Sequence, residues 1–538
     1  MLTHKLKNNI QIKIFYLLLK HLLILGVFSL SVYDLYQVDS ITLLSTNADI
    51  IQLPVLSMDL SSNLSNIWGW RLPDAPYYFP DTILFLLIAF LLNNPLLSII
   101  CYAIIQWYLF FIGLRFLYKE LGGKNIGIYD CIFLLFTLFF INLHPTRFGK
   151  LHDISWIFTI PFLSYIHFGA YLVSIFCLAS TLSYLRTSQE KQLLLSSILI
   201  FFTSLSNLQI IIYFVLPFLF AITILTKLKL VKFKDCKKTY IAFSIPCIFG
   251  TIFYKFIDPL SSKTSLPFKW SNIVYSLNRV FEDIISINPE SKFFLFVNLI
   301  IPTIAFIYLL SFLIKYYIKN YKFSQTQNNI FLLSIFTISG IVLNFSSVMI
   351  LGKYIDIGSL RYFLFIFYNP LIFSILLSLV YLSKLKYQWL KQIQYLTLII
   401  FSLNIVLQIS LLEIKSITQV FPPPVYYGCL ANKTTAGLAG YWETKPLILF
   451  SQKNLQIGTI TDFGNLYHFN NNIYWYQNSW HESGSQPKFE FIFTRSLNKD
   501  KILEKYGQPE RIESCHDDEI WWYSDYENIY NILLNKNF

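Results

Sequence analysis

Long apolar runs alternate with short polar turns over most of this chain. Each run is judged by whether, as a helix, it can cross about 30 Å of hydrocarbon. About eleven qualify by that criterion, near residues 14–33, 96–117, 126–142, 162–185, 192–205, 208–226, 239–257, 293–314, 330–350, 361–383 and 393–412. The run 82–92, TILFLLIAFLL, is short and is bracketed by Asp81 and Asn93-Asn94-Pro95. It is expected to be a helix lying on or dipping into the outer leaflet. A further amphipathic helix is expected near 271–285. Past Pro422-Pro423-Pro424 the pattern changes to short alternating stretches such as LILFSQ, QIGTITDF and FEFIFT, separated by turn residues. These predict a small α+β unit.

Composition excludes a single soluble core. Of 538 residues, 55% are hydrophobic and only 13% charged, whereas soluble domains run near a quarter charged. The net charge of +12 does not point to nucleic acid, because the Lys and Arg residues sit in short clusters between apolar runs, where they encode topology. Lys5, Lys7, Lys13 and Lys20 precede the first run. Arg115, Lys119 and Lys124 flank the end of the second, and Arg186 and Lys191 follow the fourth. The turns 227–238, 315–322 and 384–391 are also basic.

All these clusters fall on one side if 82–92 is not counted as a span. The expectation is an all-α polytopic membrane protein with a cytoplasmic N-terminus, in a bacterial inner membrane. Residues 1–412 form its transmembrane domain, with a first extracytoplasmic loop at 34–95, and residues 413–538 form an extracytoplasmic C-terminal domain. The first run is long and no small-residue cleavage signal follows it, so it reads as an uncleaved anchor.

Of seven cysteines, Cys429 and Cys515 alone fall in the exported domain, where an oxidising compartment permits a disulfide. Two unpaired buried thiols are the alternative. No His/Cys cluster has zinc spacing.

In so apolar a chain the ionisable groups of the expected outer face stand out. The first loop carries Asp49, Asp59, Asp74 and Asp81 among tryptophans and tyrosines. The turn HPTRFGKLHD carries His152 and Asp153, and GKYIDIGSLRYF places Arg361 and Tyr362 at the mouth of a late span. A carboxylate can deprotonate a hydroxyl or hold a divalent cation, and an arginine can neutralise phosphate charge through a bidentate contact. Aromatics beside aspartates suit sugars. The bland readings are helix caps and turn formers for the aspartates, and interfacial polar residues for the histidines.

The order of an uncleaved first span, an acidic residue soon after it, a Pro/Tyr-rich turn (DAPYYFPDTILFLL), a short apolar helix and a span ending in a basic turn resembles the GT-C superfamily of integral-membrane glycosyltransferases. In layout the chain is similar to protein O-mannosyltransferases and lipid A aminoarabinose transferases. The resemblance covers roughly 1–160 and 355–385. It implies transfer of a sugar from a polyprenyl-phosphate donor to a hydroxyl on a glycan, lipid or protein acceptor, at the outer face and among membrane lipids. It implies Asp49 as catalytic base, with Asp59 as the alternative. Asp153 stands at a second acidic position, and Arg361 with Tyr362 opens a late span beside the donor phosphate. From the residues themselves, Asp81 and His152 are candidate substrate contacts, and a divalent cation (Mg or Mn) on Asp49 and Asp153 is allowed but not required. No paired acidic motif follows the first span, and Asp81 stands where Lys-Pro or His-Pro often occurs. The alternative class is a non-catalytic membrane protein: a lipid or polysaccharide transporter, an assembly factor or an inactive relative.

Overall fold

The computed structural model describes residues 2–38, 46–73, 75–124, 126–142, 154–164, 166–257, 269–286, 292, 296–319, 323–382 and 415–534. It is 70% helical. The N-terminal part comprises α1 (Leu2–Tyr36), α2 (Gln52–Ser62), α3 (Ile83–Leu92), α4 (Pro95–Glu120), α5 (Ile126–Asn142), α6 (Phe168–Thr187) and α7 (Glu190–Ser204). It continues with α8 (Leu216–Lys227), α9 (Phe233–Ile257), α10 (Trp270–Ser286), α11 (Ile301–Ile318), α12 (Gln325–Ile350) and α13 (Leu364–Leu382).

Caps set several of these boundaries. The Asn94 side chain accepts from Leu97 N at 3.0 Å, and Pro95 occupies the first helical position of α4, where its missing N–H costs nothing. Ser324 and Gln327 form a reciprocal capping box at the start of α12, which satisfies two otherwise orphaned donors.

Among the described residues, six helices are long and apolar enough to cross a membrane: Leu17–Tyr36, Pro95–Glu120, Phe168–Thr187, Phe233–Phe256, Gln325–Ile350 and Ile357–Leu382. Eleven runs were expected, and these six are the ones that the described residues show at spanning length. The stretch 190–227 divides into the 15-residue α7 and an apolar helix, Ile211–Lys227, in which the π-turn Ile211–Val215 leads into α8. At 1.5 Å per residue neither reaches the roughly 30 Å of a hydrocarbon core. The expected run 126–142 is the 17-residue α5, at the lower limit, and 393–412 lies outside the described residues. The short helix expected after Asp81 is α3, and the amphipathic helix near 271–285 is α10, whose Trp270, Phe281 and Ile285 remain exposed.

The C-terminal part is the expected α+β unit. Its five-stranded sheet has the order β3-β2-β5-β7-β6, with β2 (Thr435–Ala439), β3 (Leu455–Thr459), β5 (Phe489–Phe493), β6 (Arg511–Cys515) and β7 (Asp518–Trp522). Strand β2 runs parallel to β3 and β5, while β7 runs antiparallel to β5 and β6. Helices α14 (Tyr441–Phe450), α15 (Lys499–Tyr506) and α16 (Tyr526–Leu534) accompany the sheet. Cys429 and Cys515 are joined in a disulfide, tying the segment that enters the domain to the end of β6.

The two parts are sewn together through the first loop. Strand β1 (Trp70–Arg71) pairs antiparallel with β4 (Asn471–Asn472), opposing Trp70 to Asn472. Gly69 is required at this seam, because a Cβ there would stand 2.0 Å from the Asn472 amide oxygen.

Candidate functional site

The five residues before α2 form a tight turn in which Asp49 N donates to Asn47 Oδ1 at 2.9 Å, an Asx turn of the kind short polar side chains favour. This leaves the Asp49 carboxylate facing the end of the helix bundle. Opposite it, Asp356 caps a 3₁₀ turn, Ile357–Phe363, by accepting from Ser359 N at 3.1 Å. That turn presents Arg361 and Tyr362. Arg361 lies 3.6 Å from Asp49 Oδ2 and 5.4 Å from the centre of the Tyr362 ring, which in turn packs 5.1 Å from the His167 ring.

The C-terminal domain completes the group. The Tyr441 hydroxyl donates to Asp49 Oδ1 at 2.5 Å and accepts from Asn470 Nδ2 at 3.1 Å. Lys445, one helical turn further along α14 and buried, donates to Ala48 O and to the Tyr441 hydroxyl, both at 3.3 Å. Burial pulls the Lys445 ammonium down to about 7, against the pull of the Asp49 charge. Burial also raises the Tyr441 phenol well above its ordinary value, with Asp49 adding to the effect, so this phenol keeps its proton.

Two cavities meet at this group. One, of about 1000 Å³, lies between the helix bundle and the C-terminal domain. It is lined on one side by Asp356, Ser359 and Arg361, and on the other by Tyr441, Trp442, Asp462 and Tyr467. The other, of about 540 Å³, runs between helices past His167, Ile211, Ile212, Val348 and Leu351. Asp49, Lys353, Arg361 and Tyr362 line both. Both volumes fall in the ~300–1,000 Å³ range of small-molecule pockets.

The other residues singled out from the sequence stand elsewhere. Asp59 is 1% exposed and saturated with donors. Trp70 Nε1 at 2.8 Å and Asn472 Nδ2 at 2.6 Å reach Oδ2, while Asn66 Nδ2 at 3.0 Å and Lys453 Nζ at 3.1 Å reach Oδ1. It is a docking residue in a closed seam. Asp81 is also 1% exposed and lines neither cavity. Its Oδ1 meets the Tyr102 hydroxyl at 2.6 Å, so the structure removes it from contact with a substrate in either cavity. His152 and Asp153 lie outside the described residues, as does Asp74.

The expected cation pairing of Asp49 with Asp153 is therefore described only at Asp49, which faces the Arg361 guanidinium. Among the described residues no group of three or more His, Cys, Asp or Glu is placed to hold a metal ion.

Sequence reasoning missed Tyr441, Lys445 and Asn470. The signal for Lys445 was local: a lysine within the otherwise apolar helix segment 445–450 of the C-terminal domain. No protein-family model matches the chain, and no curated protein matches it.

Proposed function

We propose that this protein is a GT-C-like membrane glycosyltransferase that moves a sugar from a polyprenyl-phosphate donor to a hydroxyl acceptor. The observation that carries the reading is the pairing of one carboxylate with one guanidinium where a polar cavity and a helix-lined cavity adjoin. On this reading the C-terminal domain faces the outside of the cell, the donor's lipid lies between helices, and the acceptor enters from the polar side.

The acceptor O–H gives its proton to Asp49 as its oxygen attacks the anomeric carbon. The bond from that carbon to the phosphate oxygen breaks, and its electron pair leaves on the polyprenyl phosphate. Arg361 neutralises the charge that develops there through a charge-assisted contact. Before an acceptor arrives, the Tyr441 hydroxyl fills the acceptor's place on Asp49, so the acceptor must displace it.

The test uses purified full-length protein in lipid vesicles with a radiolabelled polyprenyl-phosphate sugar and cell-envelope acceptor. Asp49→Asn is expected to lower transfer by about 10²- to 10⁴-fold, the ordinary range for loss of a general base, with the protein still folded in the membrane. Full transfer by Asp49→Asn would remove this mechanism. The non-catalytic reading is favoured by one observation, that Asp49 is already engaged by Tyr441 and Arg361. It predicts no transfer by the unaltered protein.

A further inference from the structure

The wall of the polar cavity supplied by the C-terminal domain has a composition the proposed transfer does not by itself demand. Tyr441, Trp442, Tyr467 and Phe469 all line it. Tyr441 is the hub, with ring centres 5.1 Å from Trp442, 5.6 Å from Tyr467 and 5.9 Å from Phe469. Trp442 is 50% exposed, and among the described residues its indole N–H has no hydrogen-bond partner. The exposed Asp462 lines the same cavity, and its carboxylate accepts no hydrogen bond from a described residue. The facing wall contributes Asp356 and Lys353.

An exposed ring and a free carboxylate lining one cavity are an uncommon combination. The ring offers an apolar, electron-rich face, and the carboxylate offers up to four lone pairs to hydroxyl donors. A lipid chain would leave the carboxylate without a partner. A pyranose ring satisfies both features at once, with a C–H face for Trp442 and hydroxyls for Asp462.

We propose that this cavity is a saccharide-binding subsite whose stacking platform is Trp442 and whose hydroxyl acceptor is Asp462, both carried by the C-terminal domain. If the transferase reading holds, the proposal names its acceptor class: a glycan, rather than a lipid or a protein side chain.

The experiment is binding of the full-length, detergent-purified protein to a printed array of cell-envelope oligosaccharides, in parallel with the vesicle transfer assay. A subset of glycans is expected to bind, and Trp442→Ala and Asp462→Asn should each weaken that binding at least tenfold. Phe463→Ala, which alters an equally exposed ring outside the cavity wall, should leave it unchanged. All three changes are at exposed positions, and an unaltered thermal midpoint would certify their folding. A blank array, or binding indifferent to Trp442 and Asp462, overturns the subsite. A blank array beside Asp49-dependent transfer would discard the subsite and keep the transferase. Array binding without transfer would do the reverse.

Discussion

Asp49 and Asp59 stand at the two ends of the α2 segment, and each reaches across to the C-terminal domain, yet their surroundings are opposite. Asp59 is sealed, with four donors on its two oxygens and 1% of its surface exposed. The Asp49 side chain is 30% exposed, and its partners are a tyrosine hydroxyl and an arginine beside open cavities. A carboxylate whose lone pairs are all taken by fixed donors holds two parts of a molecule together. One that shares its oxygens with exchangeable partners can accept a proton. The contrast teaches that burial and donor saturation, and not residue type or loop position, divide seam from site.

The sharpest way to break that comparison is to truncate each carboxylate. Asp59→Ala leaves the Lys453 ammonium, the Trp70 N–H and the Asn472 amide without their common acceptor. Removing one partner of a buried ion pair costs about 3–5 kcal/mol, so the C-terminal domain should be released by protease at far lower doses than in the unaltered protein. Asp49→Asn keeps a hydrogen-bond acceptor for Tyr441 and should change protease resistance little. Equal sensitivity of the two variants would mean that both aspartates belong to the seam.

The difference between them was not legible in the sequence. Asp49 and Asp59 lie in the same polar loop, and Asn472 and Lys453, which fill the Asp59 shell, come from some four hundred residues further on. No local pattern announces such a pairing. The long apolar helices, the amphipathic α10, the break at Pro422 and the Cys429–Cys515 pair were legible, because each rests on composition or spacing within one segment. The division of 190–227 was legible as two runs, 192–205 and 208–226, but the reason for the break was not. Its turn is made by Leu205, Ser206 and Asn207 without Gly or Pro, and Ser206 earns its place by tertiary contacts: its carbonyl accepts from Tyr77 N at 3.3 Å and its hydroxyl from Phe79 N at 2.9 Å.

A third aspartate sharpens the comparison with a smaller effect. Tyr102 has one hydroxyl proton but faces two acceptors, Asp81 Oδ1 at 2.6 Å and Gln106 Oε1 at 2.7 Å. The Gln106 amide cannot turn over, because its Nε2 donates to Pro161 O at 2.7 Å and an oxygen there would be repelled. A proton on Asp81 completes the chain. Gly169 makes room for this carboxyl, since a Cβ there would come within 2.3 Å of it. Asp81→Asn, whose amide donates as the acid does, should therefore cost less than half as much as Asp81→Ala. The alanine variant should lose about 1–3 kcal/mol by leaving Tyr102 half-satisfied. Thermal unfolding in detergent compares them, and equal losses would show that Asp81 is held as an anion.

A pH-dependent effect concerns the open end of the pair, where Lys445 backs Tyr441 and Asp49. Its ammonium is drawn from an ordinary value of 10.5 down to about 7 by burial in the docked domain. Between those values the released or unfolded domain binds a proton that the docked one does not, so stability must rise as pH rises through that window and level off above it. Below about pH 7 the lysine is charged in both states, and its burial is a constant penalty. The slope for one proton is on the order of 1 kcal/mol per pH unit. Protease release of the C-terminal domain should therefore slow from pH 7 to pH 9, and Lys445→Met should flatten that dependence while Asp59→Ala leaves its slope intact. A flat profile in the unaltered protein would mean that Lys445 is solvated. The Asp49 end of the interface would then be open enough for water to reach the lysine, and the contrast with the sealed Asp59 end would be wider than the static geometry conveys.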